Sequence, residues 1–464
     1  MIRLLACLLS LVTVQTLANQ EYRAWLAQQQ QAFNHYVDQQ QLEFAKWLSQ
    51  DWIDKDADTI MPDALPKPDQ LPALPADTNK AQQHFLTPDF RPVEPSQPEA
   101  PQPSPYIVKM QFYGLDTGFD IPASLRKPVS RRADLSGWWK TMAESVTPEL
   151  LRSLSVFKQT NFLNDWDMLF FLNQLSQQVL VQPNARSAWT WFMGVQLGLD
   201  LRLMEGRGIW YVGYNSLQTP VAVPFIRIGQ KRYFIFGVQG NAVLHLQTYP
   251  EFADFADLQP LNMQMHPKLY LGDQWRDREI EFTAQQSQWH MVLPYNVYRV
   301  EHAKVYPQLQ LQDYLNTPWP DSLQQAVSQQ LRPLVAHMSG MQRWRFLLAM
   351  VQQGFPYQTD QQQFGRENYL LAEEMLFYPY SDCEDRSYFL KGVLKAIAPE
   401  TIIGVRFPNH LALAVLDRDE QVKGYTLSLS GNDYVLLDPS YLNAGPGQLM
   451  PALESQKPQA IILN

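Results

Sequence analysis

The chain has 464 residues, 45% of them hydrophobic, with 13 Trp, 21 Tyr and 23 Phe. That supply of large side chains fills sizeable cores, excludes a disordered chain and suits two or three domains. The net charge of −9, from 37 Lys and Arg against 46 Asp and Glu, comes with no basic stripe, so no nucleic-acid or acidic-membrane partner is expected.

Residues 1–18 open with Arg3, run apolar from Leu4 to Val14 and end in Thr16-Leu17-Ala18, small where a signal peptidase reads. This predicts a cleaved signal peptide, too short for a comfortable span, with an uncleaved anchor as the competing reading. No later segment reaches about 18 uncharged apolar residues. No membrane span is therefore expected after signal removal, and the mature chain is expected in the periplasm or secreted. Of the two cysteines, Cys7 falls in the signal and Cys383 remains. Without a cysteine pair, packing must hold the exported fold. A lone thiol is then an apolar filler, an intermolecular link or a nucleophile.

Residues 19–60 are expected to form an amphipathic helix. Tyr22, Phe33 and Phe44 are spaced by eleven, as are Trp25, Tyr36 and Trp47, and Leu26, Val37 and Leu48. An eleven-residue period keeps one apolar stripe on one side of a helix. The stripe over 20–53 either packs on its own protein or serves self-association or partner binding. Residues 61–105 carry twelve prolines, from Pro62 to Pro105. This predicts an extended linker, with a strap over a domain surface as the alternative.

From 106 the chain reads as globular. A short strand pair is expected over 106–121 and helices over 134–204, including Phe162–Val181 and Ser187–Leu199. Residues 209–304 read as β-rich, with runs such as Val221–Ile228, Tyr233–Val238 and Glu279–Phe282. Helices return around Leu323–Val335 and Gln342–Gln353, and 368–464 reads as a helix followed by strands. The expected division is an α+β domain over 106–304 and a second domain over 305–464. Asn164–Gln178 with Ser187–Gly198 resembles Gln342–Gln353 with Ser381–Lys395. The first half is thus a candidate degenerate copy of the second, with Trp189 or a neighbour where the second has Cys383.

The chemistry concentrates late in the chain. Ser381-x-x-Glu384 reads as a capping box, which places Cys383 at the second position of a helix. A helix N-terminus favours a thiolate and offers amides to an oxyanion. The neighbouring Asp382, Glu384 and Asp385 oppose a thiolate unless turned away or paired, with Arg386 as the available partner. His410 opens the strand Asn409–Leu416, with Ala412 and Ala414 on its face. Asp438 ends the apolar run Tyr434–Leu437 before Pro439, and a buried acid there needs a partner. An Asp accepting from the imidazole would fix its tautomer. Asp433 is the competing acid.

Asp382-Cys383-Glu384-Asp385-Arg386-Ser387, Asn409-His410-Leu411-Ala412-Leu413-Ala414-Val415 and Leu437-Asp438-Pro439-Ser440-Tyr441 together resemble the core of the transglutaminase-like cysteine enzymes, within the wider papain-like fold. Phe355-Pro356-Tyr357 and Gln363-Phe364-Gly365-Arg366-Glu367 resemble the segment preceding that family's cysteine. The resemblance covers about residues 320–450. It implies an α+β core in which a helix carrying Cys383 packs on an antiparallel sheet carrying His410 and Asp438. It further implies Cys383 as nucleophile, His410 as base and Asp438 as orienting acid, with Gln352, Tyr357 and Asp382 as candidate oxyanion or supporting groups. The insertion Asp417–Asn432 departs from minimal members.

No cofactor is expected and no metal-ligand pattern stands out. His245, His266, His290 and His302 are scattered, and Asp417-Arg418-Asp419-Glu420 reads as a hairpin tip rather than a calcium loop. The expectation is an exported thiol enzyme acting on peptide or amide bonds of a peptide or protein substrate in the cell envelope, through a thioester. A crosslinking transglutaminase is the close alternative. A non-catalytic envelope scaffold with a vestigial triad is the distant one.

Overall fold

The computed structural model describes residues 38–62, 73–74, 107–240, 242–252, 258–418 and 423–463, and the main chain of 82–86. The expected signal peptide, the earlier turns of the eleven-residue repeat and most of the Pro-rich stretch lie outside the described residues. The fold is α+β. Among the described residues no helix is long and apolar enough to cross a membrane.

Helix α1 is described over 38–47. It does not continue to 60 as expected, because β1 (Ile53–Asp56) and β2 (Asp58–Thr59) follow. Asp54, Asp56 and Asp58 fall on every second residue there, a period of two that suits a strand and not a helix. The described end of the apolar stripe is buried in its own chain. Phe44 meets Trp139 edge-on at 4.7 Å and Tyr249 at 5.5 Å, and Leu48 is fully covered.

Next come β3 (Gln82–Leu86), the hairpin β4 (Ile107–Phe112) and β5 (Leu115–Asp120), and helices α2 (Leu135–Ser145), α3 (Pro148–Thr160), α4 (Asp165–Val179) and α5 (Pro183–Gln196). Five strands follow: β6 (Leu201–Gly206), β7 (Ile209–Tyr214), β8 (Pro224–Ile228), β9 (Lys231–Ile235) and β10 (His245–Thr248). With β1 and β2 they form an antiparallel sheet of order β1-β10-β6-β7-β9-β8-β2. Only Ala57 separates β1 from β2, yet they stand at opposite edges. A single residue spans less than 4 Å, so the sheet curls until its edges nearly meet. Met204, Ile226, Tyr233, Ile235 and Leu246 fill a small core of their own against it. The larger first core runs from Phe44 to Leu309 and gathers α1 to α5 with the other sheet face.

The long hairpin β11 (Trp275–Ala284) and β12 (Ser287–Asn296) precedes the boundary expected at 304, but its apolar face belongs to the second core. Phe282 and Trp289 both pack on Phe346, at 5.3 and 5.1 Å. β3 joins β12 in parallel, and Ala73 forms a bridge with Leu442. At these two places the Pro-rich stretch is docked on the domain, as in the strap alternative to an extended linker. The docked strand lies in the proline-free interval between Pro75 and Pro88, where each residue keeps its N–H.

Helices α6 (Val297–Val305), α7 (Leu311–Asn316), α8 (Asp321–Val335), α9 (Gly340–Gly354), α10 (Asp360–Phe364), α11 (Ala372–Phe377) and α12 (Cys383–Ile397) lead into β13 (Ile402–Phe407), β14 (His410–Leu416), β15 (Thr426–Leu429), β16 (Asn432–Leu437) and β17 (Gln459–Ile462). The last five form an antiparallel sheet, β15-β16-β14-β13-β17. Leu411, Leu413 and Val415 face α12 in the second core, while Ala412 and Ala414 face a smaller cluster behind the sheet. Every residue of α12 from Cys383 to Leu394 is buried. Gly392 permits this, since a Cβ there would lie 1.9 Å from the Trp319 ring. The order helix, helix, antiparallel hairpin occurs in α4-α5-β6-β7 and again in α9, α12, β13 and β14. α5 starts at Pro183, however, so Pro183 and not Trp189 stands at the position of Cys383. Trp189 lies deeper in the helix and donates from Nε1 to Leu125 O at 3.0 Å.

Candidate functional site

Cys383 is the first residue of α12, and the N-cap is Asp382. The box expected between Ser381 and Glu384 is replaced by one shifted by a residue: Asp382 N–H donates to Asp385 Oδ2 at 3.2 Å. Ser381 is withdrawn from capping because its backbone is stitched to the loop after α9. Ser381 N–H donates to Pro356 O at 3.1 Å and Gln358 N–H donates to Ser381 O at 3.2 Å. Cys383 is in no disulfide among the described residues and is 1% exposed. Its Sγ lies 2.8 Å from Glu384 Oε2, where the thiol donates.

The register of α12 on the sheet packs its first turns against the start of β14. Ser387, one helical turn beyond Cys383, donates from Oγ to Leu411 O at 3.2 Å. His410 is the next residue back along the strand. Its Nε2 is 2.9 Å from Asp438 Oδ2, with both groups buried. Nδ1 is therefore the ring nitrogen left to exchange a proton. Asp438 is the first residue past β16. Its Oδ1 accepts from Ser440 N–H at 2.9 Å and Tyr441 N–H at 3.1 Å, an Asx-type turn that fixes the carboxylate. Asp433 is exposed and accepts from Ser428 Oγ, so it is not the imidazole's partner.

Gln352, a candidate oxyanion or supporting group, is bonded to the loop after β16. Its Nε2 donates to Asp438 O at 2.9 Å and to Ala444 O at 3.1 Å, and its Oε1 accepts from Asn443 N–H at 3.1 Å. Both amide donors are committed, and the side chain shapes the loop that presents Asp438. Tyr357 sits beside Ser381 through a parallel bridge, its ring 5.4 Å from the Arg386 guanidinium. Arg386 was expected to pair with neighbouring acids. Its hydrogen bonds run instead to Ser381 Oγ at 3.3 Å, to Pro439 O at 3.3 Å and to Phe355 O. One buried cation thus ties the loops before Cys383, after Asp438 and after α9. Burial lowers its pKa to about 10, against the pull of Tyr357, Asp382, Asp385 and Asp438, and it remains charged at neutral pH.

The acids around the helix start are all buried. Asp385 Oδ1 accepts from Leu370 N–H at 2.8 Å, and Asp360 Oδ2 accepts from Asn368 N–H at 2.7 Å. Asp360, Asp382 and Asp385 each bring a carboxylate oxygen within 4.8 Å of the others. Three hard oxygens so placed could hold a divalent cation of the calcium type, although calcium takes six to eight. Sequence spacing concealed this trio because Asp360 lies on a different helix.

Burial lowers the pKa of His410, but the charge and hydrogen bond of Asp438, with Glu384 and Asp382, outweigh it and leave the pKa raised. Glu384 thus bears on both the thiol and the imidazole. Elsewhere in this domain, burial raises Glu374 from 4.5 to about 7, against the Leu371 N–H and Lys304. Both groups hold a proton more tightly folded than unfolded. Their stabilisation is complete below the unfolded pKa and is lost as pH rises through the folded one. The melting temperature of the second core should therefore fall between pH 5 and pH 8. Glu374 alone accounts for about 3 kcal/mol of this. Calorimetry of Glu374→Gln should show a flatter profile; a wild-type profile that is level or rising over this range would contradict the assignment.

A second buried pair, His302 Nε2 with Asp167 Oδ1 at 2.6 Å, lies in the first core. Asp167 also belongs to the capping box of α4, and the pair reads as structural. No family model, curated protein or solved structure matches this chain.

Proposed function

We propose that the chain is a transglutaminase-like thiol enzyme with a papain-like core, acting on peptide or amide bonds in the cell envelope. The observation that carries this reading is the buried His410–Asp438 pair at the start of β14, against which the helix that opens with Cys383 packs, with Glu384 bonded to the thiol and acting on the imidazole. In the reaction, Cys383 gives its proton to His410 Nδ1 and its sulfur bonds to the substrate carbonyl carbon. Amides of the first turn of α12 receive the oxyanion. His410 then protonates the departing amine as the C–N bond breaks, leaving a thioester. Water, deprotonated by His410, releases the acid and restores the thiol; an amine in place of water gives a crosslink.

One observation favours a second reading, a non-catalytic scaffold. The thiol is almost wholly covered and its proton points to a carboxylate. Iodoacetamide labelling of the mature protein across pH 5 to 9, read by intact mass, separates the two. The enzyme reading expects Cys383 to react with an apparent pKa below the roughly 8.5 of a free thiol, and more slowly in His410→Ala. It also expects a peptidyl electrophile to label wild type and not Cys383→Ala. Labelling no faster than free cysteine, indifferent to His410, would establish the scaffold.

A further inference from the structure

A groove that the thiol chemistry does not use runs from the first core to the start of β11 and α8. A cavity of about 550 Å³ lies between α3, the start of α4 and the loop after β10, with Gln159, Phe162, Asn262, Gln264 and His266 in its wall. A second, of about 250 Å³, has Phe162, Tyr270, Asp273, Trp275 and Asp321 in its wall. Phe162 lines both, so the two meet at its ring.

Phe162 is a partly exposed aromatic side chain at the turn between α3 and α4. Its ring is 37% exposed and stacked on His266, with centroids 4.7 Å apart and planes at 19°. Its backbone is left-handed, φ 54°, a conformation that suits Gly or Asn and disfavours a bulky side chain. Phe162 ends α3 in a Schellman cap, in which its N–H donates to Gln159 O at 3.2 Å and Leu163 N–H donates to Lys158 O at 2.9 Å, so the turn sets where the ring projects. In the second cavity Asp273 accepts from Trp275 Nε1 at 3.0 Å and from Tyr270 Oη at 3.3 Å, so one carboxylate orients two aromatic side chains.

The charges nearby are largely compensated. Lys158 pairs with Asp165, and Arg299 with Glu373. What remains is a row of aromatic side chains among amides and carboxylates. A pyranose ring has the matching chemistry, with C–H faces for aromatic contact and hydroxyls that both donate and accept. A nucleic acid would need a basic groove. A peptide would be expected along a strand edge or an apolar helix groove, and these walls are mainly helix ends and loops, with only Trp275 and Asn296, at the paired ends of β11 and β12, from strands. We propose that this groove binds a neutral oligosaccharide strand, with Phe162 as the central stacking platform.

The full mature chain is passed over immobilised cellohexaose, chitohexaose, maltohexaose, mannohexaose, xylohexaose and laminarihexaose. At least one should retain it, and Phe162→Asn and Trp275→Ala should each weaken that retention by about tenfold or more. Cys383→Ala should bind like wild type, which keeps this outcome separate from the thiol reading. Phe162→Asn should also raise the melting temperature of the first domain, by roughly 1–3 °C, because Asn accepts the left-handed backbone. Retention by none of the six, retention unaffected by both substitutions, or a lowered melting temperature in Phe162→Asn would each overturn the proposal.

Discussion

Asp438→Asn is expected to slow the reaction of Cys383 with a peptidyl electrophile by about a thousandfold or more at neutral pH, with little change in fold. The magnitude is that of amidating the acid of a Ser-His-Asp triad. The cause can be followed atom by atom. Asp438 Oδ1 accepts two main-chain N–H groups, and an Asn oxygen can keep both. The Asn Nδ2 then replaces Oδ2 opposite His410 Nε2. An amide nitrogen donates, so Nε2 must accept, and the ring proton moves to Nδ1. That is the nitrogen which has to take the thiol proton. The imidazolium also loses the adjacent charge and hydrogen bond that hold its pKa up against burial. The pH profile of labelling should therefore shift as well as fall. A purely structural Asp438 would give unchanged labelling kinetics in the folded variant, which stopped-flow labelling and circular dichroism together would reveal.

The elements nearest this site were legible in the sequence where local pattern and packing agree. β14 and β16 read as strands because apolar runs begin at His410 and end at Asp438. The start of α12 was legible only to within a residue. Two boxes overlap there, Ser381 with Glu384 and Asp382 with Asp385, and no local rule ranks them. The choice is made by the loop after α9, whose strand-like bridge occupies Ser381. Gln352 shows the same limit. From sequence it was an amide upstream of a cysteine; its role depends on the carbonyls of Asp438 and Ala444, far along the chain. The hairpin β11–β12 was placed in the first domain because it follows other strands, whereas Phe346 on α9 draws it into the second core. Patterns report which face is apolar, not which distant element covers it.

Arg386→Met is expected to destabilise the second domain by about 3–5 kcal/mol, the cost of breaking a buried charge assembly from one side. Met fills much of the volume, so the loss would be electrostatic and not a cavity. Without the guanidinium, Ser381 Oγ, Pro439 O and Phe355 O lose a shared donor. Asp382, Asp385 and Asp438 lose a cation that all three act upon. Arg386→Lys would keep the charge but not the planar fork that reaches three loops, so it should fall between wild type and Met. Hydrogen exchange would localise the change, with protection lost first in 355–358, 380–386 and 438–444 while the first core keeps its own. The contrary result is physically possible, since replacing a buried charge by an apolar side chain can stabilise when its partners were poorly satisfied. A more stable Arg386→Met would mean that the acids of this helix start are kept neutral or neutralised by something other than Arg386. The arginine would then serve the geometry of the thiol rather than the stability of the fold, and labelling of Cys383 in that variant would fall even as its melting temperature rose.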